Sequence, residues 1–298
     1  MGLSVENTLP AFRTALAIGV TTLECDVHVS ADGVAMVTHD PVVLAHKVRD
    51  TGAAAYVGRR VADLSVAQLR TLDCGSQTRP DFPRQRAAPG EPMPTLVEVL
   101  DLVLGWPAVR VNVETKVGLS ADAASRATFV EAVLGDVRAA GLVDRVSVQS
   151  FDWAMLRLVG LTSPRTGRYA LVLPDRLEVG RPGTSPWLGG LDLDDLTGDL
   201  VERVTAAAAA QGFTAISPVH GTPGEAGVGA PGYLPFVTAE LVESAHRRGL
   251  LVVPWSVNDP ATMTALLDLG VDGLITDYPD LAREVLAARG VALPEPVA

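Results

Sequence analysis

Apolar and polar positions along this chain follow two periods in turn. Ala11, Phe12, Ala15, Leu16 and Ile18 recur at helical spacing behind Leu9-Pro10, and Gly19 stops them. A helix is expected from Leu9, capped by Asn7 or Thr8. Positions 20–29 are rich in β-branched residues and read as a strand. Asp32-Gly33 marks a two-residue hairpin turn, and 34–38 returns as the second arm. From about 42 to 94 the pattern breaks into an insertion rich in Gly, Pro and Arg. Inside it, Ser65-x-x-Gln68 boxes the start of a short helix. Beyond it, strand patterns at 109–115, 146–149, 169–173, 214–217, 250–255 and 273–276 alternate with helical patterns at 95–104, 128–140, 200–211, 238–248, 260–269 and 281–289.

Repeated strand–loop–helix order specifies a parallel sheet under helices, with one hairpin added. Counting 20–27 with the six later strand patterns gives seven for a barrel, whereas a (β/α)8 barrel has eight. The chain also opens on a helix, although each barrel helix follows a strand. The expected fold is therefore α/β, a TIM barrel whose first strand is absent or truncated. It forms a single domain over 1–298, with a hairpin and loop insertion after the second strand of the full barrel.

Composition narrows the function. The 298 residues are 48% hydrophobic and 20% charged, which suits a globular domain with a sizeable core. A net charge of −11, with no Lys/Arg-dense stripe, argues against nucleic acid as a partner. No run of 18 apolar residues occurs, so no membrane span is expected. Cys25 and Cys74 cannot build a disulfide framework. Met1-Gly2 is followed by Glu6 where a myristoylation start needs Ser or Thr, and no signal-peptide pattern is present. As written, the chain is expected in the cytoplasm.

The chemistry gathers on two strands. Glu24 and Asp26 are two apart, so both carboxylates point to one side near a strand's C-terminal end, where barrel sites lie. With a two-residue turn, His39 falls opposite Asp26 and joins the same patch. A charged outer rim of the hairpin is the alternative. Asn112, Glu114 and Lys116 repeat the pattern, with Val111 and Val113 facing the other way. Glu24, Asp26 and Glu114 offer an oxygen-rich site for one hard divalent cation, Ca²⁺ or Mg²⁺, and no Cys/His spacing suggests zinc. Lys116 reads either as an anchor for an anionic substrate or as an ion-pair partner of a neighbouring carboxylate.

Other residues say less. Gln149-Ser150-Phe151 ends a strand and faces the barrel mouth, but Ser150 has no adjacent His to activate it. Trp255 either walls the pocket or packs. His28 is expected to point outward from the hairpin. His220 reads as solvated, and His46 and His246 have no legible partner. Gly227-x-Gly229-x-x-Gly232 has the spacing of a dinucleotide fingerprint but follows no strand, so it is set aside.

Taken in order, several pieces resemble the glycerophosphodiester phosphodiesterase family. They are Glu6-Asn7-Thr8 with Ala11-Phe12, Leu23-Glu24-Cys25-Asp26-Val27, Asp32-Gly33, His39-Asp40, Val113-Glu114-Thr115-Lys116, Gln149-Ser150-Phe151, Trp255-Ser256-Val257-Asn258, and Asp272 through Pro279. Leu72 through Thr78 and Ser185 through Gly190 are similar to an actinobacterial branch. The resemblance implies a barrel of the phospholipase C-like phosphodiesterase type. It implies metal-dependent hydrolysis of small glycerophosphodiesters to sn-glycerol 3-phosphate and an alcohol. It maps the metal ligands onto Glu24, Asp26 and Glu114, an acid/base histidine onto His39, and a phosphate-contacting lysine onto Lys116. Gln149, Phe151 and Trp255 become substrate-binding positions.

The family pattern begins with a strand ending in His-Arg-Gly, carrying a second acid/base histidine and a phosphate-gripping arginine. Here the chain starts at Met1-Gly2-Leu3-Ser4-Val5. The expectation is that this strand is missing because Met1 is an internal methionine, and a lost upstream region could then hold an export signal. The alternative is a barrel that binds metal and glycerophosphodiester without turnover.

Overall fold

The computed structural model describes residues 1–119 and 121–296; positions 120, 297 and 298 of the expected domain lie outside them. Contacts divide the chain into two compact units: Met1–Val146 with the described C-terminal residues from Leu293, and Ser147–Ala292.

The first unit opens on helix α1, Leu9–Ile18. Thr8 caps it, its hydroxyl accepting from the Ala11 N–H, and Gly19 at φ 92° ends it in the left-handed region that glycine tolerates. Phe12 and Leu16 bury the inner stripe. Strand β1, Thr22–Val29, then pairs with two neighbours. Strand β2, Ala35–Val37, runs antiparallel against its far end. Strand β3, Arg110–Thr115, runs parallel along Thr22–Val27. Between them, helix α2, Leu96–Leu104, starts at a capping box of Thr95 and Glu98. Helix α3, Ala123–Ala139, follows β3 with Asp122 as its cap. It begins several residues ahead of the expected 128.

The insertion folds because it has its own apolar cluster. Val43, Val61, Leu64, Leu69, Leu72 and Met93 close over Met36 of β2. The Ser65–Gln68 capping box forms as expected, on the one-turn helix Val66–Leu69.

The hairpin register departs from expectation. Val27 faces Val37 and Val29 faces Ala35, so Asp26 lies opposite Thr38, whose N–H donates to the Asp26 carbonyl at 2.9 Å. The cause is the turn. The Ser30 N–H donates to the Val34 carbonyl, enclosing the three residues Ala31, Asp32 and Gly33. Gly33 supplies the left-handed residue at φ 83°. A three-residue loop moves every partner by one position relative to a two-residue turn.

In the second unit four strands pair in parallel: β4 (Val146–Ser150, from Ser147 on), β5 (Gly167–Val172), β6 (Ala215–Pro218) and β7 (Leu251–Val252). Helices α4 (Trp153–Thr162), α5 (Leu200–Ala210), α6 (Ala239–Arg247), α7 (Pro260–Asp268) and α8 (Pro279–Ala288) accompany them. The pattern reading does not include α4. Its signal is Asp152, whose carboxylate caps Ala154 and Met155, ahead of the buried Trp153, Leu156 and Val159.

Two expected strands are cut short. The one at 250–255 is regular only over β7: Val253 and Trp255 still donate to the Ile216 and Pro218 carbonyls, but Pro218 has no N–H to return to the Val253 carbonyl, which takes the Ser217 hydroxyl instead. The run 273–276 is not a regular strand. It keeps three hydrogen bonds to its neighbour: Asp272 N–H to Val252 O, Ile275 N–H to Pro254 O, and Val257 N–H to Ile275 O. Alternation of parallel strands and helices is the α/β, TIM-type architecture the sequence calls for. Among the described residues no helix is long and apolar enough to cross a membrane.

Candidate active site

The register of β1 against β3 assembles the acid cluster. Glu24 lies beside Asn112 and Asp26 beside Glu114. Residues two apart share a face, so all four side chains emerge together. One oxygen from each of Glu24, Asp26 and Glu114 lies within 4.8 Å of the others. Asp26 and Glu114 are buried, 7% and 8% exposed, and Glu24 is half-buried.

Lys116 comes from just past the end of β3. Its ammonium is 2.8 Å from Glu114 Oε1 and 3.0 Å from Asp26 Oδ1. Of the two readings of Lys116, the ion pair is therefore present. Asn7 holds Asp26 from the other side. Its amide donates to Asp26 Oδ2 at 2.8 Å, and its carbonyl accepts the Asp26 backbone N–H at 3.2 Å. Asn7 has φ 54°, in the left-handed region that Asn enters more readily than most residues.

Electrostatics separates the two buried acids. Burial, then the charge of Asp26, pushes the Glu114 carboxyl up to about 7. Burial also works against the Asp26 anion, but Lys116, His39 and the Asn7 amide outweigh it and hold Asp26 below its ordinary value. Burial opposes the Lys116 charge too, and the two carboxylates override it, leaving the ammonium firmly protonated. The donor set suits a hard divalent cation. It consists of carboxylate oxygens, each accepting in two directions, so contacts to Lys116 and Asn7 leave lone pairs available.

His39 reaches this neighbourhood by a route other than strand pairing. Regular pairing in β2 ends at Val37, and the loop beyond carries His39, its side chain 46% exposed. Nδ1 of His39 is 3.1 Å from Asp40 Oδ1. Nε2 of His28 is 3.2 Å from the His39 carbonyl. A carbonyl only accepts, so His28 donates here. His28 is thus buried and bonded, not outward, and burial lowers its pKa. The Asp40 hydrogen bond raises the His39 pKa against opposing burial.

A model of the glycerophosphoryl diester phosphodiesterase family matches residues 2–281. The chain belongs to this family. A Mycobacterium tuberculosis protein assigned as glycerophosphodiester phosphodiesterase 2 is 29% identical over 95% of this chain and 86% of its own. A crystal structure from Silicibacter pomeroyi, assigned to the glycerophosphoryl diester phosphodiesterases, is 33% identical with a TM-score of 0.80, covering 98% of this chain and 91% of that one. The fold is also that of an Oleispira antarctica phosphodiesterase in complex with the product sn-glycerol-3-phosphate, at TM-score 0.69 and 18% identity over 96% and 93% of the two chains.

The other positions that the resemblance singles out lie in the second unit. Gln149, 2% exposed, sits near the end of β4. Phe151 follows it and meets Trp255 edge-on at 5.7 Å and Trp187 at 6.1 Å. The Arg176 guanidinium lies over both Phe151 and Trp187, 3.7 and 4.2 Å from the ring centroids. Trp255 packs, and its indole N–H donates to the Ser217 carbonyl at 2.7 Å. His220 is buried, between the Tyr233 hydroxyl and the Gly224 carbonyl, so it is not solvated. His246 pairs with Asp272 at 2.8 Å.

Sequence spacing singles out neither Asn7 nor Lys47. Asn7 reads only as a possible helix cap, and with Thr8 capping α1 its amide is available to Asp26. Lys47 lies in the insertion and reaches Asp40 and Glu6 through the fold.

Proposed function

We propose that this chain is a metal-dependent hydrolase that splits glycerophosphodiesters into sn-glycerol 3-phosphate and an alcohol. The observation that carries this reading is the convergence of Glu24, Asp26 and Glu114 beside Lys116, in a chain that belongs to this family. The product held by the Oleispira phosphodiesterase agrees with it.

Glu24, Asp26 and Glu114 would hold one Ca²⁺ or Mg²⁺. When bound, such a cation supplies Lewis-acid polarisation of a phosphoryl oxygen and a template for the substrate. Lys116 then has an anionic phosphate to contact beside the carboxylates it now pairs with. His39 moves a proton, either from the attacking oxygen or to the leaving alkoxide. Gln149, Phe151 and Trp255 are assigned to the substrate.

The test is release of glycerol 3-phosphate from glycerophosphocholine with Ca²⁺ or Mg²⁺ and with chelator. Release with one cation and none with chelator is the expected result. No release with either cation removes the reading, and protection of the protein by substrate against thermal unfolding would then mark a binding-only barrel.

A further inference from the structure

Lys47 occupies a place that neither the insertion core nor the acid cluster explains. Its ammonium is 2.6 Å from Asp40 Oδ2 and 2.6 Å from Glu6 Oε1, with the side chain only 16% exposed. Both contacts are ion pairs. Asp40 therefore uses its two oxygens differently, Oδ2 toward Lys47 and Oδ1 toward His39 Nδ1.

An ionised carboxylate only accepts hydrogen bonds. Asp40 is ionised, because His39 and Lys47 together hold it well below the usual carboxylate range despite burial. The hydrogen must then be on Nδ1 of His39. When neutral, His39 is the Nδ1–H tautomer, and Nε2 carries the bare lone pair that proton transfer needs. The His39 backbone is fixed separately by His28.

An aspartate on a loop can turn about its side-chain bonds. A cation on its far oxygen stops that rotation, and Glu6 stops the cation from swinging into solvent. Glu6 has a fixed neighbour in turn, since Asn7 is bonded twice to Asp26. The contacts run without a gap from Asp26 through Asn7, Glu6, Lys47 and Asp40 to His39.

We propose that Lys47 is a positioning residue: clamped between Glu6 and Asp40, it holds Asp40 in the orientation that keeps His39 as the Nδ1–H tautomer with Nε2 available for proton transfer. The proposal rests on the function assigned to His39 above, but its first readout does not depend on turnover.

The experiment uses the full chain labelled with ¹⁵N, above the imidazole pKa, with the His39 resonances assigned by their loss in His39→Ala. Long-range ¹H–¹⁵N correlation of the wild type should show a protonated Nδ1 and a bare Nε2. In Lys47→Met the pattern should move toward mixed tautomers. Turnover (kcat) with glycerophosphocholine should fall about 10- to 100-fold. KM and the rise in Tm on adding Ca²⁺ should stay within about twofold of wild type. Lys47→Arg, which keeps a cation between the same carboxylates, should recover the tautomer and most of kcat. Removing Lys47 leaves Asp40 and Glu6 as unscreened like charges. If Lys47→Met does not fold, the Glu6→Gln/Lys47→Met pair is read in its place.

An unchanged tautomer in the folded variant overturns the clamp, and so does a lost kcat that Lys47→Arg does not restore. A wild type that shows the Nδ1–H tautomer yet releases no glycerol 3-phosphate overturns the proposed function and leaves the clamp standing.

Discussion

Glu114 carries two opposed demands on one carboxyl. Burial and Asp26 favour its proton, while Lys116 favours its charge. Glu114→Gln keeps the side-chain shape and removes the charge. The metal-free fold should survive, the Tm rise with Ca²⁺ or Mg²⁺ should vanish, and cation-dependent turnover should drop about 100-fold or more. A variant that keeps both the Tm rise and the turnover removes Glu114 from the ligand set.

His39 gives a test by pH. Its folded pKa lies above the ordinary 6.5 because Asp40 stabilises the cation. The folded state thus binds the proton more tightly than the unfolded chain. The stability His39 contributes is fully present below about 6.5 and fades as pH rises through the raised value. Urea midpoints of wild type and His39→Ala should therefore differ most in mild acid and converge in mild alkali. The exposed ring keeps the effect small.

The cysteines make a third case. Burial pushes the Cys74 thiol up to about 12 and raises that of Cys25 as well. A thiol reagent at neutral pH should titrate neither in the native protein and both after denaturation.

At the level of elements the hairpin is the instructive case. Gly33 has open space where a Cβ would go, but its φ is 83°. Gly33→Ala therefore costs backbone strain and no clash, about 1–2 kcal/mol in urea denaturation. Thr8→Ala should cost about 1 kcal/mol through the lost cap of α1.

The same elements show what a sequence can carry. Period-two alternation is local, so Glu24 with Asp26, and Asn112 with Glu114, are legible as shared faces. Which strand lies beside which, and in what register, is set by packing across many residues. The two-residue turn reading fails because Asp32-Gly33 suits a three-residue loop equally well, the glycine serving as its last residue. Asp26 therefore faces Thr38, and His39 arrives by way of Asp40 and His28. Lys47 is illegible for a related reason. Its partners lie 41 and 7 positions away, at Glu6 and Asp40, with no repeat to tie them together. Pro218 is legible as a residue without an N–H, and that missing donor interrupts the ladder between β6 and β7.

For the whole molecule the dominant long-range property is charge. A net −11 repels an anionic substrate at a distance, so under the proposed function Lys116 and a bound cation would have to attract it locally. Added salt screens the repulsion, so KM for a glycerophosphodiester with an anionic alcohol should fall as ionic strength rises from low values. Glycerophosphocholine, which carries no net charge, should respond less. An equal response from both substrates would show that the overall field is irrelevant to binding. Anchorage also differs within the first unit. Asp26 and Glu114 ride on β1 and β3, whereas Asp40 and Lys47 lie in a segment whose buried Val43 and Val48 belong to the insertion's own cluster. Such a cluster can open on its own, below the threshold for global unfolding. On warming, amide exchange should quicken first around Val43 and Val48, and turnover should fade while the amides of β1 and β3 are still protected. Heat inactivation would then precede heat denaturation.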